Sequence, residues 1–210
     1  MNAIRNAAEA LELPFLVHFT RTSNLTSIFE HGIVARGGLA EVNVDAKTND
    51  ELRLDNQLDA NCLSIAFPNA KMLWKLRQEN PGTNWAILLV SRAILWELPC
   101  AFCPRNAAAG EITAQPIENF RTLEAFHSMF GQMPDVDREV HKLKPYDPTD
   151  VQAEVLAFGT IQPAKIVGGI FQRTPSKEQY KHLFPNEDLV FTHGDRGFFS
   201  QRWYHRGGAK

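Results

Sequence analysis

Cysteine is scarce in this chain: Cys62, Cys100 and Cys103 are all there is. Three thiols are too few for the disulfide framework of a small secreted domain. Long apolar runs are missing too; nothing approaches the roughly 18 residues of a membrane span, so no membrane partner is expected. The first dozen residues, Asn2 to Leu13, carry charges where a signal peptide needs an apolar core, and the chain is read as cytoplasmic. There is little excess charge: 22 Lys and Arg against 24 Asp and Glu leave a formal −2. That excludes a global drive toward nucleic acid or anionic membrane, so any nucleic-acid site must be a local patch. Signature loops are absent as well. No Gly-x-Gly-x-x-Gly follows a strand, and no Walker loop, His-Glu-x-x-His or Gly-x-Ser-x-Gly occurs. Cys100-Ala-Phe-Cys103 has the CxxC spacing but no second pair or nearby His. The two cysteines are read as buried structural thiols and no metal is expected.

What is present suits an ordinary globular protein. Hydrophobic residues make up 44% of 210, enough for one domain, residues 1–210, with a sizeable core. Ile4, Ala7, Ala8 and Leu11 recur at helical spacing and predict a helix within residues 1–13. Phe15 to Thr20 reads as a compact apolar strand. Leu25, Ile28 and Phe29 then give a helical stripe that Gly32 is placed to stop. Residues 35–61 are the least regular part, a long polar loop of the kind that is functional or disordered. Further strands are expected at Cys62–Phe67, Trp85–Val90, Pro99–Cys103, Lys165–Phe171 and Leu189–Phe191. Helices are expected after Asn69, after Ser91, around Phe120–Phe130 and over Thr174–Phe184. Strands outnumber regular βαβ units, which favours a mixed α+β fold. The last residues, 206–210, are expected to fray.

One stretch organises the rest. Val151-Gln-Ala-Glu-Val-Leu-Ala-Phe158 alternates strictly, so Gln152 and Glu154 project from one face of a strand, about 6.5–7 Å apart. Both faces turn apolar from Val155 onward, as in a central strand. A carboxylate at the entrance to a buried strand is costly unless paired or used. The plain alternative is a strand end whose Gln and Glu face solvent.

Separated segments add to this. His18-Phe19-Thr20, then Asn24-Leu25 and a short helix ending at Gly32, resembles the first motif of the DarT-type DNA ADP-ribosyltransferase toxins. Phe67-Pro68-Asn69-Ala70-Lys71-Met72-Leu73-Trp74 is similar to their second segment. Leu89-Val90-Ser91, Pro99, Phe102 and Asn106-Ala107 continue it in order, Gln152-Ala153-Glu154 resembles the catalytic Gln-x-Glu strand, and Trp203-Tyr204 the terminal Trp-Tyr. The resemblance implies an ADP-ribosyltransferase-like fold with NAD in a cleft between two small, roughly perpendicular sheets and flanking helices. It implies NAD as co-substrate, a base of single-stranded DNA as acceptor, a macrodomain-type antitoxin as partner and a use in phage defence. The tract Asp59 to Ala66 and the loop from Gly37 to Asn61 depart from the family's pattern, so base identity is not carried over.

The chemistry of the residues fits. Breaking the nicotinamide–ribose bond builds positive charge on the sugar, as in an oxocarbenium-like glycosidic transition state. A fixed carboxylate can stabilise that cation and accept the proton of the attacking base, which is the role given to Glu154. Gln152 either orients the acceptor or is a strand-edge polar residue. The resemblance implies that His18, Phe19, Thr20 and Phe67 border the cofactor; Asn24 is either a helix cap or a contact on the nicotinamide side. It also implies an arginine from the long loop against the NAD phosphates, since a guanidinium fork binds two oxygens at once. Arg53 is the candidate, with Arg36 and Arg21 as alternatives. For nucleic acid, Arg202 lies among Phe198, Phe199, Trp203 and Tyr204, while Lys142 and Lys144, with Arg138 and His141, form a basic cluster just before Glu154. RNA or a protein side chain is the alternative acceptor, and a catalytically silent nucleic-acid-binding module is the alternative of another class.

Overall fold

A computed structural model gives the fold and describes residues 2–40, 42, 57–194 and 197–208. In chain order it contains α1 (Ala3–Ala10), β1 (Leu16–Arg21), α2 (Leu25–His31), β2 (Ala60–Ile65), α3 (Ala70–Glu79), β3 (Trp85–Val90), α4 (Ile94–Glu97) and β4 (Cys100–Cys103). There follow α5 (Gly110–Thr113), α6 (Leu123–Ser128), β5 (Glu154–Phe158), β6 (Ile166–Phe171), α7 (Thr174–Tyr180), β7 (Val190–Thr192) and α8 (Arg202–His205). No helix among them is long and apolar enough to cross a membrane.

Local chemistry sets the helix ends. Asn2 caps α1, its side-chain oxygen accepting from the amides of Ile4 and Arg5 at 3.0 and 3.3 Å. Asn69 caps α3 through the Met72 amide at 3.1 Å. Gly32 ends α2 at φ +90°, where a Cβ would also meet the Ile161 carbonyl at 2.5 Å. Only glycine satisfies both conditions.

The strands pair in the order β4-β5-β2-β1-β3-β6-β7. All neighbours are antiparallel except β6 and β7. The expected two-sheet arrangement is not resolved into separate sheets by these pairings. A three-strand half and a four-strand half stay joined at β1 and β2, through only Leu16↔Ile65 and Val17↔Ser64. Past that seam the two strands part.

β3 is buried along its whole length. Ala86, Leu88 and Val90 face one core, shared with Leu16, Leu63, Ile65 and Val155. Trp85, Ile87 and Leu89 face a second, with Val17, Phe67, Leu73 and Phe198. A strand apolar on both faces is explained by cover on both faces. β5 repeats the pattern: Val155 and Ala157 join the first core, and Leu156 joins a third with Ala60, Ala101 and Phe120.

Two boundaries differ from expectation in ways that matter. The strand expected from Val151 begins at Glu154; Val151 and Gln152 lie in a turn closed by the Ala153 amide donating to the Asp150 carbonyl at 3.2 Å. The tail is not frayed at Arg206. Its guanidinium donates to both oxygens of the fully buried Asp147 at 2.8 and 2.6 Å, and the Gly208 amide donates to the Trp203 carbonyl at 2.9 Å.

Candidate active site

The parting of β1 and β2 opens a fork in the sheet, and His18 stands in it. Cys62 lies past the paired stretch of β1 and β2. Its carbonyl meets the His18 ring, with Nδ1 at 3.1 Å. A carbonyl only accepts, so this contact assigns the proton to Nδ1 and leaves Nε2 as the acceptor of the neutral ring. Burial lowers the His18 pKa, outweighing the opposing pull of the Cys62 carbonyl. The imidazole is therefore neutral near pH 7 and held in one tautomer by the fold.

Two residues along, Thr20 is buried, and its hydroxyl accepts from the Asn24 side-chain amide at 3.1 Å. Asn24 precedes α2, but its side chain makes no cap hydrogen bond. Of its two sequence-based readings, the helix cap therefore falls away. A short 3₁₀ turn over Thr22–Asn24 brings it back onto Thr20. Phe19, on the other face of β1, meets Trp85 edge-on at 6.3 Å between ring centroids.

Glu154 begins β5, opposite Cys103 of β4, and is buried. Its carboxylate accepts from the Ala107 backbone amide at 2.9 Å and from the Asn106 side-chain amide at 3.4 Å. The first is a charge-assisted bond of ordinary length. Together they fix the acid's orientation on the face of β5 that Leu156 shares. The pairing Leu63↔Val155, extended by one residue, sets Ser64 beside Glu154, and Ser64 is also the partner of Val17. Two strand spacings then separate Glu154 from β1, about 10 Å. The fork histidine and the carboxylate thus sit on the two halves of the sheet, at its seam.

Other candidate residues fall less centrally. Gln152 is half-buried in the turn, its backbone amide donating to the Asp150 carboxylate at 2.8 Å. The strand alternation that put it on the Glu154 face does not reach it. Phe67 is buried in the second core, with Phe198 and His205 each 5.2 Å from its ring. Arg53 lies outside the described residues. Arg36, in a 3₁₀ turn, is half-buried; Arg21 donates to the Asn80 side chain at 3.1 Å and lies 5.6 Å over the Trp85 ring. Lys142 and Lys144 are exposed, Lys142 donating to the Gly207 carbonyl at 2.6 Å. Arg202 corrects a surface expectation. It is buried and donates to the carbonyls of Pro148 and Thr149 at 2.7 and 2.9 Å, and burial lowers its pKa to about 10. That arginine serves the fold of the loop before Glu154. Cys100 is buried in β4, and burial raises its thiol to about 12, as expected of a structural cysteine.

Sequence reasoning passed over two contributors. Asn106, noticed only as part of a motif, is a direct partner of the Glu154 carboxylate. Asn61 is buried and donates to the carbonyls of Ile33 and Gly159 at 3.0 and 2.8 Å, tying the chain after α2 to the end of β5. An amide side chain in a mostly apolar strand was its only signal.

The family model of DarT, described as an ssDNA thymidine ADP-ribosyltransferase, matches residues 17–203. This chain belongs to the DarT family. It is in class an NAD-dependent ADP-ribosyltransferase. Solved DarT structures share the fold. Thermus sp. 2.9 DarT in complex with ADP-ribosylated ssDNA aligns at a TM-score of 0.62 and 17% identity, over 88% of this chain and 96% of that one. The same protein in complex with NAD+ aligns at 0.53 and 15%, over 86% and 95%. Thermosipho africanus DarTG in complex with ADP-ribose aligns at 0.59 and 17%, over 88% of this chain; the DarT-like chain spans 50% of that protein's length. No curated protein matches the sequence.

Proposed function

We propose that this chain transfers ADP-ribose from NAD to a base of single-stranded DNA, and that it is the toxin of a toxin–antitoxin pair. The observation that carries the reading is Glu154: a buried carboxylate, oriented by Asn106 and the Ala107 amide, across the sheet seam from a neutral histidine. Support for the acceptor comes from the family's description and from a DarT relative solved with ADP-ribosylated ssDNA, thymidine being the base that description names. Support for a partner comes from the DarTG relative, and a macrodomain-type antitoxin is the partner we propose. We place the reaction in the cytoplasm, with phage defence as its use, and treat residues 1–210 as one catalytic domain.

The residues present fit NAD. His18 offers a fixed acceptor at Nε2, Thr20 a hydroxyl whose own hydrogen can donate, and Asn24 holds that hydroxyl. We assign these, with Phe19, to the cofactor; Phe67 supports them from the core. NAD supplies an electrophilic ribose carbon whose bond to nicotinamide breaks, the electron pair leaving with nicotinamide. Glu154 stabilises the positive charge that develops on the ribose and takes the proton that the base nitrogen loses as it bonds to that carbon. A loop arginine, Arg53 in our reading, neutralises the diphosphate, and Gln152, in the turn before Glu154, orients the base.

Incubation of the purified chain with labelled NAD and, in parallel, single-stranded DNA, duplex DNA, RNA and mixed protein tests this. Label is expected on single-stranded DNA, and expression without an antitoxin is expected to arrest growth. Glu154→Ala should do neither, while still folding and still showing a thermal shift with NAD of up to about 2.7 kcal/mol at 100 times its dissociation constant. Label on RNA or protein would move the acceptor and leave the chemistry. Full activity in Glu154→Ala would overturn the catalytic assignment.

A further inference from the structure

A groove of about 1060 Å³ lies between α3, α8 and the turn that precedes Glu154. Its first wall is the outer face of α3. Leu73 and Leu76 bury the inner face of that helix, and Asn69 caps its start. Lys71, Trp74, Lys75 and Gln78 fall at i, i+3, i+4 and i+7, one stripe on the side away from those leucines. Trp74 is 61% exposed. The helix is anchored on its other face by its buried leucines, and the indole stands largely in solvent. Large aromatics left in water mark surfaces that meet something. Across the groove, α8 presents Tyr204, 37% exposed. Thr149, Asp150 and Val151 form the floor, and the chain reaches Glu154 three residues later.

We propose that this groove is a docking track for single-stranded DNA. Trp74 is the platform on which a base stacks, and Lys71 and Lys75, one helical turn apart on either side of it, take the flanking phosphates. The proposal rests on single-stranded DNA being the acceptor, and it adds where the strand lies beside the reacting base. Charge and ring chemistry select this occupant. Nonspecific single-strand sites combine cations that follow the backbone with aromatics that accept any base. Lys75 has a carboxylate in reach, Glu79 at 3.8 Å, but both side chains are more than half exposed, and such a pair gives way to a phosphate at little cost. Asp150, the acid on the floor, is turned back on the chain, accepting from the Gln152 amide. A strand along α3 is thereby led to the turn that delivers Glu154, and each lysine works locally, which a net charge of −2 does not preclude.

The test is a fluorescence-anisotropy titration of the full chain, without NAD, against a labelled mixed-sequence single-stranded oligodeoxynucleotide over a series of salt concentrations. Trp74→Ala is expected to weaken binding about 10-fold and Trp74→Phe to retain most of it, since stacking needs a ring and not an indole. Lys71→Ala with Lys75→Ala should flatten the slope of log affinity against log salt by about 1.4, two single-strand phosphate contacts at about 0.7 each. Unchanged melting and an unchanged thermal shift with NAD would show that the variants fold. Wild-type affinity and slope in the folded variants would overturn the track. Tighter, Trp74-dependent binding of RNA of the same sequence would overturn DNA as its occupant. The two readings separate cleanly. Label on DNA that ignores Trp74 keeps the acceptor and removes the track; Trp74-dependent binding with no label on DNA keeps the track and removes the acceptor.

Discussion

Glu154 has one oxygen on a backbone amide and the other on a side-chain amide, and these two donors are not equivalent. The Ala107 amide belongs to the chain after β4 and moves only with it; the Asn106 amide can be deleted by itself. Hydrogen bonds to charged groups contribute about 1.5–3 kcal/mol, and at 3.4 Å this one belongs at the lower end. Asn106→Ala is accordingly expected to slow transfer about 10-fold with little change in melting temperature, read as kcat with saturating NAD. A loss as complete as that of Glu154→Ala would assign Asn106 a larger part. At this scale the sequence was legible where chemistry announces itself. A glutamate in an apolar strand, and a histidine two residues before a threonine, stand out from the residues alone. Gln152 was placed on the face of Glu154 by an alternation that the turn at Asp150 interrupts, and a turn closed by one backbone bond leaves no mark in a period-two pattern. Asn24 looked like a cap because of where it stands, and it bonds to Thr20 because the intervening residues wind as 3₁₀. Its own neighbours could not reveal that.

The element that presents Glu154 is β5, and the C-terminal helix helps hold the loop that leads into it. Arg202 reaches the carbonyls of Pro148 and Thr149. Arg138 reaches the Asp147 carbonyl and the Thr149 hydroxyl at 2.9 and 2.7 Å. Arg206 forms a bidentate pair with Asp147, whose carboxylate also accepts from the Lys144 amide. Three guanidiniums thus converge on three residues, 147–149, shortly before β5. Asp147 is completely buried, so removing its partner leaves a charge with too few hydrogens around it. Arg206→Ala is expected to cost about 3 kcal/mol, from the range for breaking a buried pair, measured by urea unfolding. Transfer should fall with it at temperatures where the protein is still folded, because the turn before Glu154 loosens first. A change under about 0.5 kcal/mol would place the pair among ordinary surface bridges. Nothing nearby in the chain announced this pair: Asp147 and Arg206 are 59 residues apart, and Gly207-Gly208 suggested a free end. The basic cluster before Glu154 was legible as a cluster, while the division of labour inside it, Arg138 inward and Lys144 outward, is a matter of tertiary contact.

Over the whole molecule, the strands could be listed from the sequence to within one to three residues, but their order could not. Antiparallel pairs such as β2 with β5 join segments about a hundred residues apart, and period-two patterning carries no record of partners. The same long-range closure brings histidines into the interior. His205, on α8, packs against the rings of both Phe67 and Phe198, at 5.2 and 4.7 Å, and burial, with Arg206 next, lowers its pKa to about 4. His193 and His18 are lowered by burial in the same direction. At His205 the unfolded chain binds a proton near pH 6.5, and the folded chain declines it until about pH 4. Between those values the unfolded state holds more protons, so stability rises with pH across the window, is complete above about 6.5 and is lost as pH falls toward 4. One pKa unit is worth about 1.4 kcal/mol. The shift at His205 therefore has a ceiling of about 3 kcal/mol, and partial exposure of the side chain brings the expected figure to about 1–2. Melting temperatures recorded from pH 7.5 to 4 should fall steadily below pH 6.5 in the wild type. In His205→Phe, which keeps a ring against Phe67 and Phe198 but has no site to protonate, the fall should be shallower by about that amount. Parallel profiles would mean that the acid sensitivity lies in the carboxylates and in His18, and that the aromatic cluster under α8 admits a charge more easily than its burial implies.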